Sequence, residues 1–432
     1  MKRLPLAVAF IVVSLGQHTA RAAALALPPP SAAPPAAAPV EELLSEALSR
    51  APSLAALRAR LAAAREMVAP AGALPDPTAA IVLQDMSFPK WTVGSDQMSM
   101  IGPEVEQEIP YPGKRAARRA AAGADASVRA SELERLRREI AAQVRTLYAR
   151  VWALDRERTD LNAARELLDM LAATAASRYS VGGSDQEAVL KAQLEVSRLG
   201  ERLDDLAAER AAAVAALNRL LDRPGGASLG TTAELPPPAV PAQPWEALAV
   251  QASPEVAVRQ AAIVAAEKRV AVARLDFKPD FVTGAGVGLR GGYDPSVTLR
   301  FGLVLPIWRK EKQRPLLRAA ESELAAARAD ERDAEAAARA SAAELAARWQ
   351  RAERVVELYR QAIVPQSSAA IDAARASYLV GRGDFLTVVD DFNRWLDARV
   401  GLARREADRF ATWAEVEALI APAQAEPTHK EN

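Results

Sequence analysis

The chain has 432 residues, half of them hydrophobic, 5% aromatic and none of them cysteine, and its 55 basic side chains balance its 55 acidic ones. A neutral chain with no long basic block is not built to bind nucleic acid, and zero cysteine excludes disulfides, thiolate metal sites, a cysteine nucleophile and acylation at a lipobox. The two histidines, His18 and His429, lie near the ends, so the body has no imidazole for acid–base catalysis or for a transition metal.

Lys2 and Arg3, the mainly apolar run Leu4 to Leu15 and the triplet Ala20-Arg-Ala22 predict a cleaved export signal over residues 1–22. Residues 23–39 are rich in Pro and Ala and predict a leader that packs no core. A helical pattern then runs from Val40 to Ala69, and Pro70, Pro75 and Pro77 end it. From there the period falls to two, predicting strands over about 78–88 and 97–109. In the second, Ile101, Val105 and Ile109 share one parity, with Glu104, Glu106 and Glu108 on the other. Met86, Met98 and Met100 cluster here; thioethers bind Cu(I), but strand and loop packing is the commoner use of such a group.

Pro110-Tyr-Pro-Gly113 stops the second strand, and a long helix follows from Lys114 to Tyr179. Leu133, Ile140, Leu147, Leu154, Leu161 and Leu168 recur every seven residues along it, the pattern of a coiled coil. After a turn at Gly182 a second comb appears at Val189, Val196 and Leu203, with Leu199, Leu206 and Leu220 on the partner seam. Residues 227–244 form a linker, stiffened by prolines from 235 onward. The order then restarts: a helix from Trp245 to Phe277, strands at about 280–290 and 296–305 around the turn Gly291 to Pro295, and a stop at Pro306. A helix from Lys310 to Tyr378, a last helix from Asp384 to Leu419 and a polar tail over 422–432 complete it. Tyr378, Val380, Gly381 and Asp384 echo Tyr179, Val181, Gly182 and Asp185, with the same 199-residue offset from 179 to 378 as from 185 to 384. In both copies a helix stops at glycine and restarts on a capping residue, which predicts a tight reversal. The expected fold is therefore mainly α with a small β part, a helix–strand–strand–helix–helix unit present twice, over 40–226 and 245–421.

Strands of about ten residues can span a bilayer when tilted. Four of them cannot close, and open edges do not survive in lipid. Copies must share one barrel: two copies give about eight strands, a size that side chains fill, and three give about twelve, which leaves a lumen. Glu104, Glu106, Glu108, Thr298 and the alternating Gly284, Gly286 and Gly288 then face water, and the apolar parity faces lipid. The glycine triplet is no nucleotide loop, since no helix start or lysine follows it.

With these features in place the chain resembles the TolC-like outer-membrane factor family. The resemblance rests on the duplicated plan, the Tyr-x-Val-Gly turns and the segment Val105-Glu-Gln-Glu-Ile-Pro-Tyr-Pro-Gly-Lys114, which is similar to the strand-to-helix junction of the heavy-metal efflux branch. It implies a passive, trimeric exit duct in the outer membrane of a Gram-negative bacterium, with four strands per chain in a 12-stranded barrel and the helices in the periplasm. A periplasmic adaptor and an inner-membrane pump are the implied partners, metal ions the implied cargo, and no enzyme activity, cofactor or bound metal is implied. The hairpin turns at Gly182 and Gly381 become the tips. Asp390 matches a gate carboxylate of the family, with Asp391 beside it, and Tyr378 matches a tyrosine that locks the closed tip. Thr387 stands where a second gate Asp is usual. Gly383 stands where the lock has an arginine, with Arg382 next to it. A soluble periplasmic coiled-coil adaptor or scaffold stays open as an alternative, as do ducts for drugs, solvents or secreted polypeptide.

Overall fold

The computed structural model describes residues 39–87, 89–181 and 186–420, all within one unit, Ala36–Asn432. The expected signal over 1–22, the leader up to residue 38, Phe88, the turn glycine Gly182 and the polar tail 422–432 lie outside the described residues. The first half comprises α1 (Val40–Arg50), α2 (Pro52–Glu66), α3 (Val68–Ala71), β1 (Thr78–Gln84), β2 (Met100–Ile109), α4 (Lys114–Ser180) and α5 (Gln186–Leu220). The second comprises α6 (Trp245–Ala252), α7 (Pro254–Leu275), β3 (Asp280–Arg290), β4 (Tyr293–Val304), α8 (Gln313–Leu358), a π-helical turn (Tyr359–Ile363), α9 (Val364–Leu379) and α10 (Phe385–Ile420).

Three helices expected to be continuous are broken, and proline accounts for each main break. Proline has no N–H and pushes the preceding residue out of the helical region. Ala51 before Pro52 and Ser253 before Pro254 accordingly take ψ of 121° and 125°, splitting α1 from α2 and α6 from α7. Pro365 sits in the first turn of α9, directly after the π turn that interrupts the expected helix from Lys310 to Tyr378.

The four strands form one antiparallel sheet in the order β1-β2-β3-β4. β1 stops at Gln84, before Asp85 takes a positive φ, and β2 starts only at Met100, because Ser99 is buried in the loop, donating to the carbonyl of Asp85. β4 starts at Tyr293, three residues before its expected start. The hairpin turn is just Gly291-Gly292, closed by the Arg290–Tyr293 pair, and Gly291 has φ +66°. Among the described residues none of the buried hydrophobic side chains lies in a strand.

The core is helical. The α4 comb turns inward: Leu133, Ile140, Leu154, Leu161 and Leu168 are buried and Leu147 partly so. On α5 the deeper seam is Leu199, Leu206 and Leu220, with Val189, Val196 and Leu203 half-covered beside it. α10 meets α4 through Phe392, Leu396 and Val400, then through Phe410 and Trp413 against Trp152. Among the described residues no helix is long and apolar enough to cross a membrane.

Candidate functional site

Two regions carry chemistry: the sheet and the hairpin tips. Strand pairing sets the faces, because residues directly opposite one another in an antiparallel sheet share a side. Glu104 lies opposite Ala80 and Gly286, Glu106 opposite Thr78 and Gly284, and Gly284 opposite Arg300. All are even-numbered, and that face is small or polar. With no side chain on β3 in its way, Arg300 reaches across to β2, 3.0 Å from Glu104 and 3.3 Å from Glu106. Glu108, on the same face, is exposed, while Met100 packs beside Gly288 and accepts a hydrogen bond from Ser296 Oγ at its sulfur. The odd-numbered face is apolar and bare, with Ile81, Val297 and Phe301 exposed to 72%, 72% and 81%.

The sheet is fastened to the helices at its base. Lys114, the last residue of the Val105–Lys114 segment, is buried, and its Nζ lies 2.8 Å from Asp280 Oδ2 and 2.9 Å from the carbonyl oxygen of Lys278. Asp280 Oδ1 accepts the Tyr111 N–H at 2.7 Å, and the Tyr111 ring stacks on Phe281. Gly113, at φ +97°, makes the bend that aims Lys114 inward. The strand-to-helix junction of one half is thus tied to the helix-to-strand junction of the other.

At the second tip, α9 ends in a Schellman turn. Arg382 N–H donates to the Ser377 carbonyl, Gly381 N–H donates to the Tyr378 carbonyl, and Gly381 has φ +75°. Tyr378 is buried against Phe385. The arginine on it is Arg178, from the end of α4. Its guanidinium lies 4.9 Å from the centre of the Tyr378 ring and donates to the Tyr378 carbonyl. A Cβ at Gly381 would come within 3.2 Å of that guanidinium. Arg382 points to solvent, and among the described residues the Tyr378 hydroxyl has no hydrogen-bond partner. Asp390 is exposed and Asp391 half-buried, about one and a half helical turns into α10; Arg394 holds both, at 2.8 Å and 3.4 Å. Neither Arg178 nor Arg394 is marked in the sequence. Arg394 sits four residues after Asp390, a spacing that is visible but common on any charged helix.

Further along, a buried ionic knot ties the two hairpins together. Glu157 on α4 is fully buried and takes Arg404 of α10 at 2.8 Å and Arg202 of α5 at 3.2 Å. Asp160 takes Arg399 of α10 at 2.6 Å, and Asp155 takes Arg210 of α5 at 2.6 Å. From Glu157 to Arg178 along α4 is about 30 Å at 1.5 Å per residue. Nearer the sheet, Glu417 on α10 faces Arg145 at 2.6 Å. Burial pushes its carboxyl above the ordinary value, with the Arg145 charge opposing and Glu41 adding to the rise.

A small sheet with a bare apolar face and two open edges, carried on long helical hairpins, is the architecture of an outer-membrane channel. The chain belongs to the outer membrane efflux protein family, whose sequence model matches residues 43–223 and 245–421. By sequence no curated relative matches it. Among solved structures it is similar to the outer membrane protein VceC of Vibrio cholerae, at TM-score 0.75 and 19% identity over 89% of this chain and 97% of that one. It is similar also to CusC, at 0.75 and 15% over 89% and 92%, and to the outer-membrane channel OprN, at 0.74 and 17% over 88% and 89%. The fold is thus TolC-like, and the chain is an efflux duct of the outer membrane and not an enzyme.

Proposed function

We propose that three copies of this chain join β4 of one to β1 of the next and close a 12-stranded barrel, three times the four-stranded sheet, through which cargo leaves the periplasm. The observation that carries this is the bare sheet. Its apolar face suits lipid, its glycine lane and Arg300–Glu104–Glu106 cluster suit water, and its two edges need partners. A cleaved signal over 1–22 would export the chain, and the matched segments 43–223 and 245–421 support two repeats over 40–226 and 245–421 joined by the linker 227–244. A periplasmic adaptor and an inner-membrane pump deliver cargo and energy. The exposed Val181, Leu379 and Val380 give the adaptor an apolar landing at the tips. Metal ions are the cargo favoured by the segment Val105 to Lys114.

The tips form the inner gate. Three Asp390 carboxylates around one axis repel one another and attract cations, and Arg394 tempers that repulsion within each copy. Arg178 clamps the α9–α10 turn to the end of α4 through Tyr378, so release of that clamp frees the tip. In planar bilayers Asp390→Ala raises single-channel conductance and relieves block by divalent cations. Conductance and block both unchanged would remove Asp390 from the gate, and a purified chain that stays monomeric in water without detergent would remove the duct.

A further inference from the structure

Leu305, Ile307 and Trp308 follow the last residue of β4 and are exposed, extending the apolar lane of Val297, Leu299 and Phe301 past the end of the sheet. Basic residues follow at once. Arg309, Lys310 and Lys312 are exposed with one acid, Glu311, among them, and Arg314 is exposed in the first turn of α8. Among the described residues no carboxylate pairs with any of these four, although all five arginines of α10 are paired with acids. The other strand-to-helix junction repeats the pattern. After β2, Lys114 is consumed by Asp280, but Arg118 and Arg119 are exposed and, among the described residues, carry no ion pair. Acids are favoured in the first turn of a helix, yet neither α4 nor α8 has one there.

These charges sit where the apolar face of the sheet stops. In a membrane-spanning sheet that is the depth of the headgroups, where tryptophan is favoured and Lys or Arg meets lipid phosphate. We propose that the turn Leu305 to Lys312 docks anionic phospholipid headgroups of the leaflet on the helical side, with Trp308 at the acyl boundary and Arg309, Lys310 and Lys312 on phosphate. The inference rests on the reading that the sheet lies in the outer membrane and continues its lipid-facing surface. A neighbouring copy would bring too few acids to neutralise these charges. Its β1 would approach this turn, and Asp76 is the one acid between Glu66 and Asp85.

The test uses the full chain inserted into phosphatidylcholine vesicles, with spin-labelled phosphatidylglycerol or spin-labelled phosphatidylcholine as the probe. Insertion is read first, by resistance to alkaline extraction. The fraction of restricted phosphatidylglycerol is expected to exceed that of phosphatidylcholine by roughly three-fold at low salt and to converge with it near about 1 M salt. The variant R309Q/K310Q/K312Q loses the preference, and R351Q/R354Q, far along α8, keeps it. Equal restriction of both lipids by the wild type, or a preference kept by the triple variant, overturns the proposal. So does abolition by millimolar inorganic phosphate, which assigns the charges to a free anion. Loss of the assembled state in the triple variant, with lipid preference intact, assigns them to a neighbouring copy and also overturns it. Failure to insert overturns the barrel reading and this one together, whereas insertion without preference overturns this one alone.

Discussion

Lys114 shows what one side chain does in this fold. Its stem crosses from the start of α4 to the start of β3, and its ammonium group meets Asp280 where both are largely shielded from water. Removing one partner of a buried pair leaves the other desolvated and alone, at a cost of about 3–5 kcal/mol, whereas removing both costs far less. Lys114→Met is therefore expected to lower the thermal midpoint of the detergent-resistant assembly on gels, and adding Asp280→Asn to restore most of it; equal losses in the single and double variants would mean that the pair is not coupled. The sequence exposed Lys114 as part of a motif but not its partner, 166 residues away. The same holds at the tips: Tyr378 and Gly381 stood out through their repeated turn, while Arg178 did not, because its meeting with Tyr378 depends on how two hairpins lie side by side.

Elements that repeat in order do not repeat in mechanics. α4 runs unbroken from Lys114 to Ser180, but its counterpart is interrupted by the π turn Tyr359–Ile363. Pro365 cannot donate to the carbonyl four residues back, and a π turn is one way for a helix to absorb the lost bond. Tyr359 on that turn rests on Gly401 of α10, where an added Cβ would come within 2.7 Å of the ring. Gly200 on α5 has open space around the same position. Gly401→Ala is expected to cost about 1–3 kcal/mol by overpacking, and Gly200→Ala to gain about 0.5–1 kcal/mol through helix propensity. Denaturant midpoints of the detergent-solubilised protein measure both, and the opposite order would show that Tyr359 does not use Gly401 as its seat. Heptads and period-two runs made the helices and strands readable, since each follows from local spacing. The break at Pro52 was hidden by a continuous apolar pattern, and the π turn by the absence of any periodicity of its own.

At the scale of the molecule the decisive feature is the pair of edges. β1 and β4 each have one side without a strand among the described residues, and lipid has no hydrogen bond to offer them. Two copies would make a barrel filled by side chains, yet the face proposed to line the lumen keeps glycines at 284, 286 and 288 beside a charged cluster, a lining that fits a wet lumen better than a packed one. Edge pairing between copies is directly testable because the chain has no cysteine to interfere. Opposed residues of antiparallel strands have Cα atoms about 4.5–5.5 Å apart, within disulfide range. Ile81→Cys combined in turn with Val297→Cys, Leu299→Cys and Phe301→Cys places both thiols on the apolar face, which the proposed barrel turns to lipid, within reach of a membrane-soluble oxidant. One of these pairs is expected to give bands at monomer, dimer and trimer and none beyond. A ladder that stops at dimer would mean a filled barrel of two copies, a ladder that keeps climbing an open filament, and monomer alone from all three pairs would leave β1 and β4 without each other and the duct without a wall.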